Sequence, residues 1–233
     1  MQVNRPLLDE FATVLDSLEW DVALLQEAPP RWFAPLASRT RSSGLRVLTS
    51  RNWLPALQGR LADLNPDLIA SGEGGSNQIL VRHPARVLEQ RRLTLAYWPE
   101  RRRMHWARVD LPGFGRVCVA NLHASAGRPE RASAEVVAAG QAATQFSGDD
   151  PLILGGDFNL RPALQPEPFV TLRERFGLGE PTAPRAIDHV LARGLQVVER
   201  ARRLAPEERE VDDPSGLRIR LSDHAPVVVE FVR

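Results

Sequence analysis

The sequence predicts a mixed α/β (α+β) protein in which two facing, mostly antiparallel sheets are each covered on the outside by helices. Three observations predict it. Periodic segments run in the order helix, strands, helix, strands. Four successive strand-like runs, Gln78 to Arg82, Leu93 to Trp98, Met104 to Leu111 and Arg116 to His123, are joined by turns that are polar or contain Gly and Pro, as antiparallel neighbours require. A chain of 233 residues, 43% hydrophobic and without a fixed-period repeat, has enough apolar content to bury such a core.

Taken in order, Leu7, Leu8, Phe11, Val14, Leu15 and Leu18 recur at helical spacing, which predicts an amphipathic helix over 7–19. Asp21 to Gln26 is a short apolar run suited to a strand buried on both faces. Residues 28–76 are rich in Pro, Gly and Arg and predict long loops around a strand near Arg46 to Thr49. After the four strands, Pro129 to Phe146 reads as a helix with its proline in the first turn. Leu152 to Gly155 reads as a buried strand and Pro168 to Phe176 as a short helix. Ile187 to Ala192, Leu195 to Arg203 and Ala225 to Val232 read as strands, with Ala205 to Gly216 a surface loop between the last two. Residues 1–233 are read as one domain.

Composition removes several chemistries. All 30 basic side chains are arginine, so there is no lysine for a Schiff base, a P-loop phosphate contact or a nucleophile. The one cysteine, Cys118, excludes intrachain disulfides and multi-cysteine metal sites. No G-x-S-x-G elbow occurs. The 29 acidic groups leave a net charge of +1, which argues against a DNA-coating surface. No apolar run approaches the ~20 residues needed to span a membrane. The first residues lack the apolar core of a signal peptide, so a soluble cytoplasmic protein is expected.

Polar groups stand at the ends of strand-like apolar runs, where loops meet a rigid scaffold. VALLQ ends in Glu27, VCVANL in His123 and LILGG in Asp157-Phe158-Asn159; Ile187 leads into Asp188-His189, and Ser222-Asp223-His224 precedes the final strand. Gathered at one sheet edge, these would offer carboxylates, imidazoles and a carboxamide. Such hard ligands suit Mg²⁺ or Mn²⁺ and metal-assisted phosphoester hydrolysis. Gly155-Gly156 clears space for close backbone approach just before Asp157; the plain alternative for Asp157 and Asn159 is an Asx turn closing the strand.

LLQE (24–27), NLHAS (121–125), GGDFN (155–159), IDHVL (187–191) and LSDHAPV (221–227), in that order, resemble the endonuclease/exonuclease/phosphatase superfamily, the fold of pancreatic deoxyribonuclease. The resemblance implies a four-layer αββα sandwich with its site at one end of the paired sheets. It implies that Glu27 holds the metal, with Asp223 a second carboxylate on the metal side. His123 would donate to the scissile phosphate or leaving oxygen, Asp157 orient or deprotonate water, and Asn159 bond the phosphate. His224 would activate water or bind phosphoryl oxygens, held by Asp188. In the family an asparagine ends a first strand and helps bind metal. Here either Asn4 is that residue, on a short strand, or the strand begins upstream of Met1. Asn77, after Gly74-Gly75-Ser76, and Arg161, just past GDFN, are candidate substrate contacts, with a plain turn the alternative for Asn77. His189 reads as a packed or surface histidine, and the Arg101–Arg103 hairpin tip as mostly solvated, with phosphate-backbone contacts the alternative if it overhangs the site. Trp98 and Trp106 read as sheet residues.

The expected function is a metal-dependent phosphodiesterase or nuclease. The alternatives are a phosphomonoesterase acting on a sugar, inositol or lipid phosphate, and a relative that binds without turnover.

Overall fold

The computed structural model describes residues 7–49, 75–98, 100–180, 182–212, 216 and 218–233. The amphipathic N-terminal segment forms helix α1 (Leu8–Ser17), with Asp9 and Glu10 in its first turn, where negative charge suits the helix dipole. Strand β1 (Val22–Ala28) follows, then a 3₁₀ turn and helix α2 (Phe33–Arg39), which leads into β2 (Ser42–Leu48). Strand β3 (Ser76–Arg82) lies between β1 and β2, antiparallel to both. Its near-continuous burial reflects this central place. Ile79 and Val81 face the second sheet, while Leu80 packs with Leu36 and Ala12 under the helices.

The second sheet has five strands in chain order: β4 (Arg86–Ala96), β5 (Arg102–Leu111), β6 (Gly115–His123), β7 (Leu152–Asp157) and β8 (Asp188–Arg193). All neighbours are antiparallel except β6 and β7, which are parallel because helix α3 (Pro129–Ser147) carries the chain back between them. Helix α4 (Pro166–Phe176) joins α3 on the outer face.

Alternation along the strands builds three apolar layers. Leu45, Ile79, Val81, Ala107, Val109, Val117 and Val119 fill the space between the sheets. Met104, Cys118, Ala120, Leu122, Leu152 and Leu154 face Ala132, Val136, Ala139 and Leu172 of the outer helices. Leu36, Ala12 and Leu80 make the third, on the α1/α2 side. The result is a four-layer αββα sandwich. Each fully buried leucine in it is worth about 2–5 kcal/mol against alanine.

The structure corrects several sequence expectations. The proline-rich stretch after β1 contains α2, which Pro29, Pro30 and Pro35 had hidden. The strand predicted from Leu93 begins at Arg86 and ends at Ala96, leaving Trp98 outside it. The long strand predicted over Leu195 to Arg203 is two short ones, β9 (Gln196–Val197) and β10 (Arg202–Arg203). The predicted loop Ala205 to Gly216 includes β11 (Glu210–Asp212), paired with β12 (Arg218–Arg220). The last strand is likewise broken into β13 (Val227–Val228) and β14 (Phe231–Val232), which pair with β10 and β9. Val197 and Val198 lie at the surface, so no apolar face fixes a continuous strand there. Among the described residues, no helix is long and apolar enough to cross a membrane.

Candidate active site

The ends of β6, β7 and the start of β8 lie side by side. In register His123 pairs with Asp157 and Asp157 with Asp188, so three polar residues form one row across three strands. The parallel β6–β7 pair makes this possible, because both chains leave the sheet at the same edge.

Backbone geometry in β7 is set by glycine. Gly156 has φ +134°, and a Cβ there would meet the Leu122 carbonyl oxygen at 1.9 Å. A Cβ on Gly155 would press on the Leu24 side chain of the facing sheet at 2.8 Å. Only glycine permits this approach of β7 to β6, as the GGD sequence suggested. Beyond it, Asp157 and Asn159 do close an Asx turn. The Asn159 backbone N–H donates to Asp157 Oδ1 at 2.8 Å, and Asn159 itself is left-handed at φ 51°. The Asn159 side-chain amide donates to Asp157 Oδ2 (3.1 Å) and to the Ala124 carbonyl (3.0 Å). The turn therefore orients the carboxylate rather than competing with it.

Ala124 is held in turn. Its N–H donates to the Asp157 carbonyl, and the next residue, Ser125, is clamped by the buried Glu135 of α3. Glu135 accepts from the Ser125 N–H (2.7 Å) and hydroxyl (2.8 Å), and pairs with Arg131 at 3.1 Å. Glu27 reaches the same edge from the other sheet by a β-bulge. The β1–β3 register shifts between Leu25 and Ala28, and Glu27 takes φ 55°, a conformation that is strained for a non-glycine residue. Its carboxylate is 75% exposed, 3.8 Å from His123 Nδ1. Both flanks of the bulge are tied down. The Ser76 hydroxyl donates to the Ala28 carbonyl (2.7 Å), and Asn121 joins the sheets on the other side. The Asn121 amide donates to the carbonyls of Leu25 (2.9 Å) and Gln78 (2.8 Å) and accepts from Gln26 at 2.7 Å.

His224 comes from the segment before β13. Its Nδ1 lies 2.9 Å from Asp188 Oδ1, the orienting contact the resemblance implied, and its backbone N–H donates to the Ser222 hydroxyl. Asp157, Asp188 and His224 can each present a donor atom within 4.8 Å of the others. Asp223 is exposed beside them and acts on His224 through its charge. Asn4 lies outside the described residues.

The groups polarise one another. Burial above all, then the negative charges of Asp188 and Glu27, push the Asp157 carboxyl up to about 6, against the pull of the Asn159 N–H and His224. Burial alone would discharge His224. Its hydrogen bond and ion pair with Asp188, with Asp157 and Asp223 nearby, instead raise its pKa. His123 goes the opposite way, lowered to about 3 by burial, by Arg102 and by His224. The site thus holds one neutral and one readily charged imidazole.

Arg102 is the residue that the sequence does not single out from its neighbours in the Arg101–Arg103 tip. It is buried, with Nη1 3.2 Å from the His123 ring nitrogens and Nη2 2.6 Å from Glu100. In the sequence it is the middle of three arginines at a turn; only the placement of β5 beside β6 distinguishes it. Asn77 departs from the expectation. It is fully buried in β3 and its amide donates to the Arg103 carbonyl at 2.9 Å, so it ties the sheets together and does not face a substrate. Arg161 is exposed two residues past Asn159. His189 is buried against Phe158 and Phe169 with its Nε2 on the Leu160 carbonyl, a packed histidine as expected.

Known proteins share this arrangement at the level of fold. A model of the Endonuclease/Exonuclease/phosphatase family matches residues 3–224. A mannosyl-6-phosphatase of Bacteroides thetaiotaomicron superposes with TM-score 0.73 at 15% identity, over 97% of this chain and 90% of that one. The human nocturnin catalytic domain with bound sulfate gives 0.67 at 18% identity, over 96% and 86%. Humanized D. rerio TDP2 gives 0.60 at 18% identity, over 97% and 93%. No curated protein matches the sequence.

Proposed function

The chain belongs to the Endonuclease/Exonuclease/phosphatase family, whose members are hydrolytic phosphoesterases, and from that premise we propose that it is a divalent-metal-dependent phosphodiesterase or nuclease. The observation that carries the reading is the row His123–Asp157–Asp188 along one sheet edge, closed by the 2.9 Å contact from Asp188 to His224.

The donors fit a hard cation. Carboxylate oxygens of Glu27, Asp157 and Asp188, with no thiolate, suit Mg²⁺ or Mn²⁺ and leave the free nitrogen of His224 for the water. Asp223 and Asn4 would add donors on the metal side. A bound cation would supply charge stabilisation to the phosphoryl and departing oxygens. The protein's own groups do the rest. Asp157, whose carboxyl burial raises to about 6, takes the proton of the attacking water in its ionised form. His224, fixed and made more basic by Asp188, aligns that water against the phosphorus. His123 is neutral. With Arg102 beside it, it offers an N–H to the phosphate, and the Arg102 guanidinium stands near the charge that builds on the oxygens, while the Asn159 amide, bonded to Ala124 and Asp157, holds the base in line. Arg161 meets the substrate beyond the reacting phosphate. The proposal takes residues 1–233 as one domain acting in the cytoplasm.

The test is hydrolysis of bis-p-nitrophenyl phosphate and, for comparison, p-nitrophenyl phosphate, with Mg²⁺, Mn²⁺ or EDTA. The diester should turn over faster, and only with metal, and Asp157→Asn should lose about 10²–10⁴ in kcat. Turnover that survives both EDTA and Asp157→Asn overturns the reading.

A further inference from the structure

The β4–β5 hairpin leaves two large aromatic rings mostly exposed at its tip. Ala96 pairs with Arg102, so Tyr97, Trp98, Glu100 and Arg101 belong to its tip. Tyr97 is 74% and Trp98 67% exposed, whereas Trp106 on the same hairpin is almost fully buried and packs on Phe146. The tip stands at the catalytic edge. The β5–β6 register sets the start of β5 beside the His123 end of β6, and Arg102, the first residue of β5, touches the His123 ring. Trp98 is two residues past Ala96, only about 7 Å of extended chain.

Positive charge crowds the same place. Arg103 is held below the usual guanidinium range, first by burial and then by the charges of Arg101 and Arg92. Arg102, paired with Glu100 and touching His123, and Arg103 bring guanidinium groups beside the exposed rings, a combination suited to a ligand with both negative charge and planar faces. We infer that Tyr97 and Trp98 form a stacking platform for the bases of a single-stranded nucleic acid whose reacting phosphate lies at His123 and Arg102. The inference rests on the phosphoesterase reading and names its substrate class.

A strand carries a planar base beside every phosphate, and every base has a face to stack, so such a platform is tolerant of sequence. Duplex bases are already stacked and would not reach it. A lipid surface fits less well. Interfacial binding scales with buried apolar area, and this tip offers two rings flanked by the carboxylate of Glu100.

Binding is read without turnover, in the Asp157→Asn background, from the anisotropy of a short fluorescein-labelled single-stranded oligonucleotide and of an abasic strand of the same length. Trp98→Ala and Tyr97→Ala should each weaken the base-bearing strand by about 5- to 100-fold and leave the abasic strand unchanged, while Trp98→Phe should retain most of the affinity. Equal binding by Trp98→Ala and its parent, or equal loss on both strands, overturns the inference. So does sedimentation with phosphatidylglycerol vesicles that depends on Trp98 when oligonucleotide binding does not. Hydrolysis of bis-p-nitrophenyl phosphate by the wild type is measured separately. Its absence would overturn the catalytic reading while leaving the binding result to stand on its own.

Discussion

His105 makes the fold sensitive to acid, and the size of the effect follows from its place. It lies on the inner face of β5, fully buried between the sheets, and neither ring nitrogen makes a well-formed hydrogen bond. Burial lowers its pKa from 6.5 to about 3, and the backbone at Leu45 offsets little of this. The unfolded chain therefore takes up a proton at this residue near 6.5, while the folded chain takes it up only near 3. Stability from this residue is complete above 6.5 and is lost as the pH falls through the window between the two values. At about pH 5 the unfolded histidine is nearly all charged and the folded one nearly all neutral, which removes about 2 kcal/mol. Urea unfolding, followed by tryptophan fluorescence in EDTA at about pH 7 and about pH 5, measures the loss. His105→Leu, which cannot titrate, should lose about 2 kcal/mol less than the wild type between the two conditions. His123 and His189, whose pKa values are also lowered, contribute equally to both proteins and cancel. If wild type and variant lose the same stability, the assignment of a neutral buried His105 is wrong.

Two further outcomes follow from the ties behind the site. Asn121→Ala removes three hydrogen bonds of a fully buried side chain, to Leu25 and Gln78 and from Gln26, and should destabilise by about 3 kcal/mol at about 1 kcal/mol each. Because Gln26 acts through Asn121, adding Gln26→Ala should cost less than it does alone, by at least about 0.5 kcal/mol, and strict additivity in urea unfolding would refute the coupling. Glu135→Ala frees the Ser125 clamp, and with it the Ala124 carbonyl that aligns Asn159. The expected result is a fall in kcat of about tenfold to a hundredfold with KM little changed, largely recovered in Glu135→Gln. A purely structural Glu135 would change unfolding and leave the rate per folded molecule intact.

Much of the site was legible because its residues end apolar runs. Glu27, His123, Asp157 and Asp188 each sit where a strand pattern meets polar sequence, and the sheet register brings them to one edge. The four layers were legible from element order. What was hidden depends on contacts far apart in the chain. Nothing local separates Arg102 from Arg101 and Arg103. Asn77 looked like a loop amide until β3 proved to start at Ser76. Glu135 is one charged residue on a helix whose pattern says only that it is amphipathic. The first half of β4, with Arg86, Glu89, Arg91 and Arg92, is an edge strand whose polar residues disguise its extended backbone. The segments after residue 194 pair in two- and three-residue ribbons, too short to leave a period.

The single parallel pair, β6 with β7, divides the five-stranded sheet into two unlike rims. One rim collects the start of β5, the ends of β6 and β7 and the start of β8, and with them Arg102, His123, Asp157 and Asp188. The opposite rim holds the Pro112–Phe114 turn and the short links before β7 and after β8. Gly113, at φ +77°, has nothing near its would-be Cβ. That rim carries none of the candidate chemistry, so it is the natural point of attachment. An affinity tag, a surface tether or a second protein joined there would leave the working rim facing open solution.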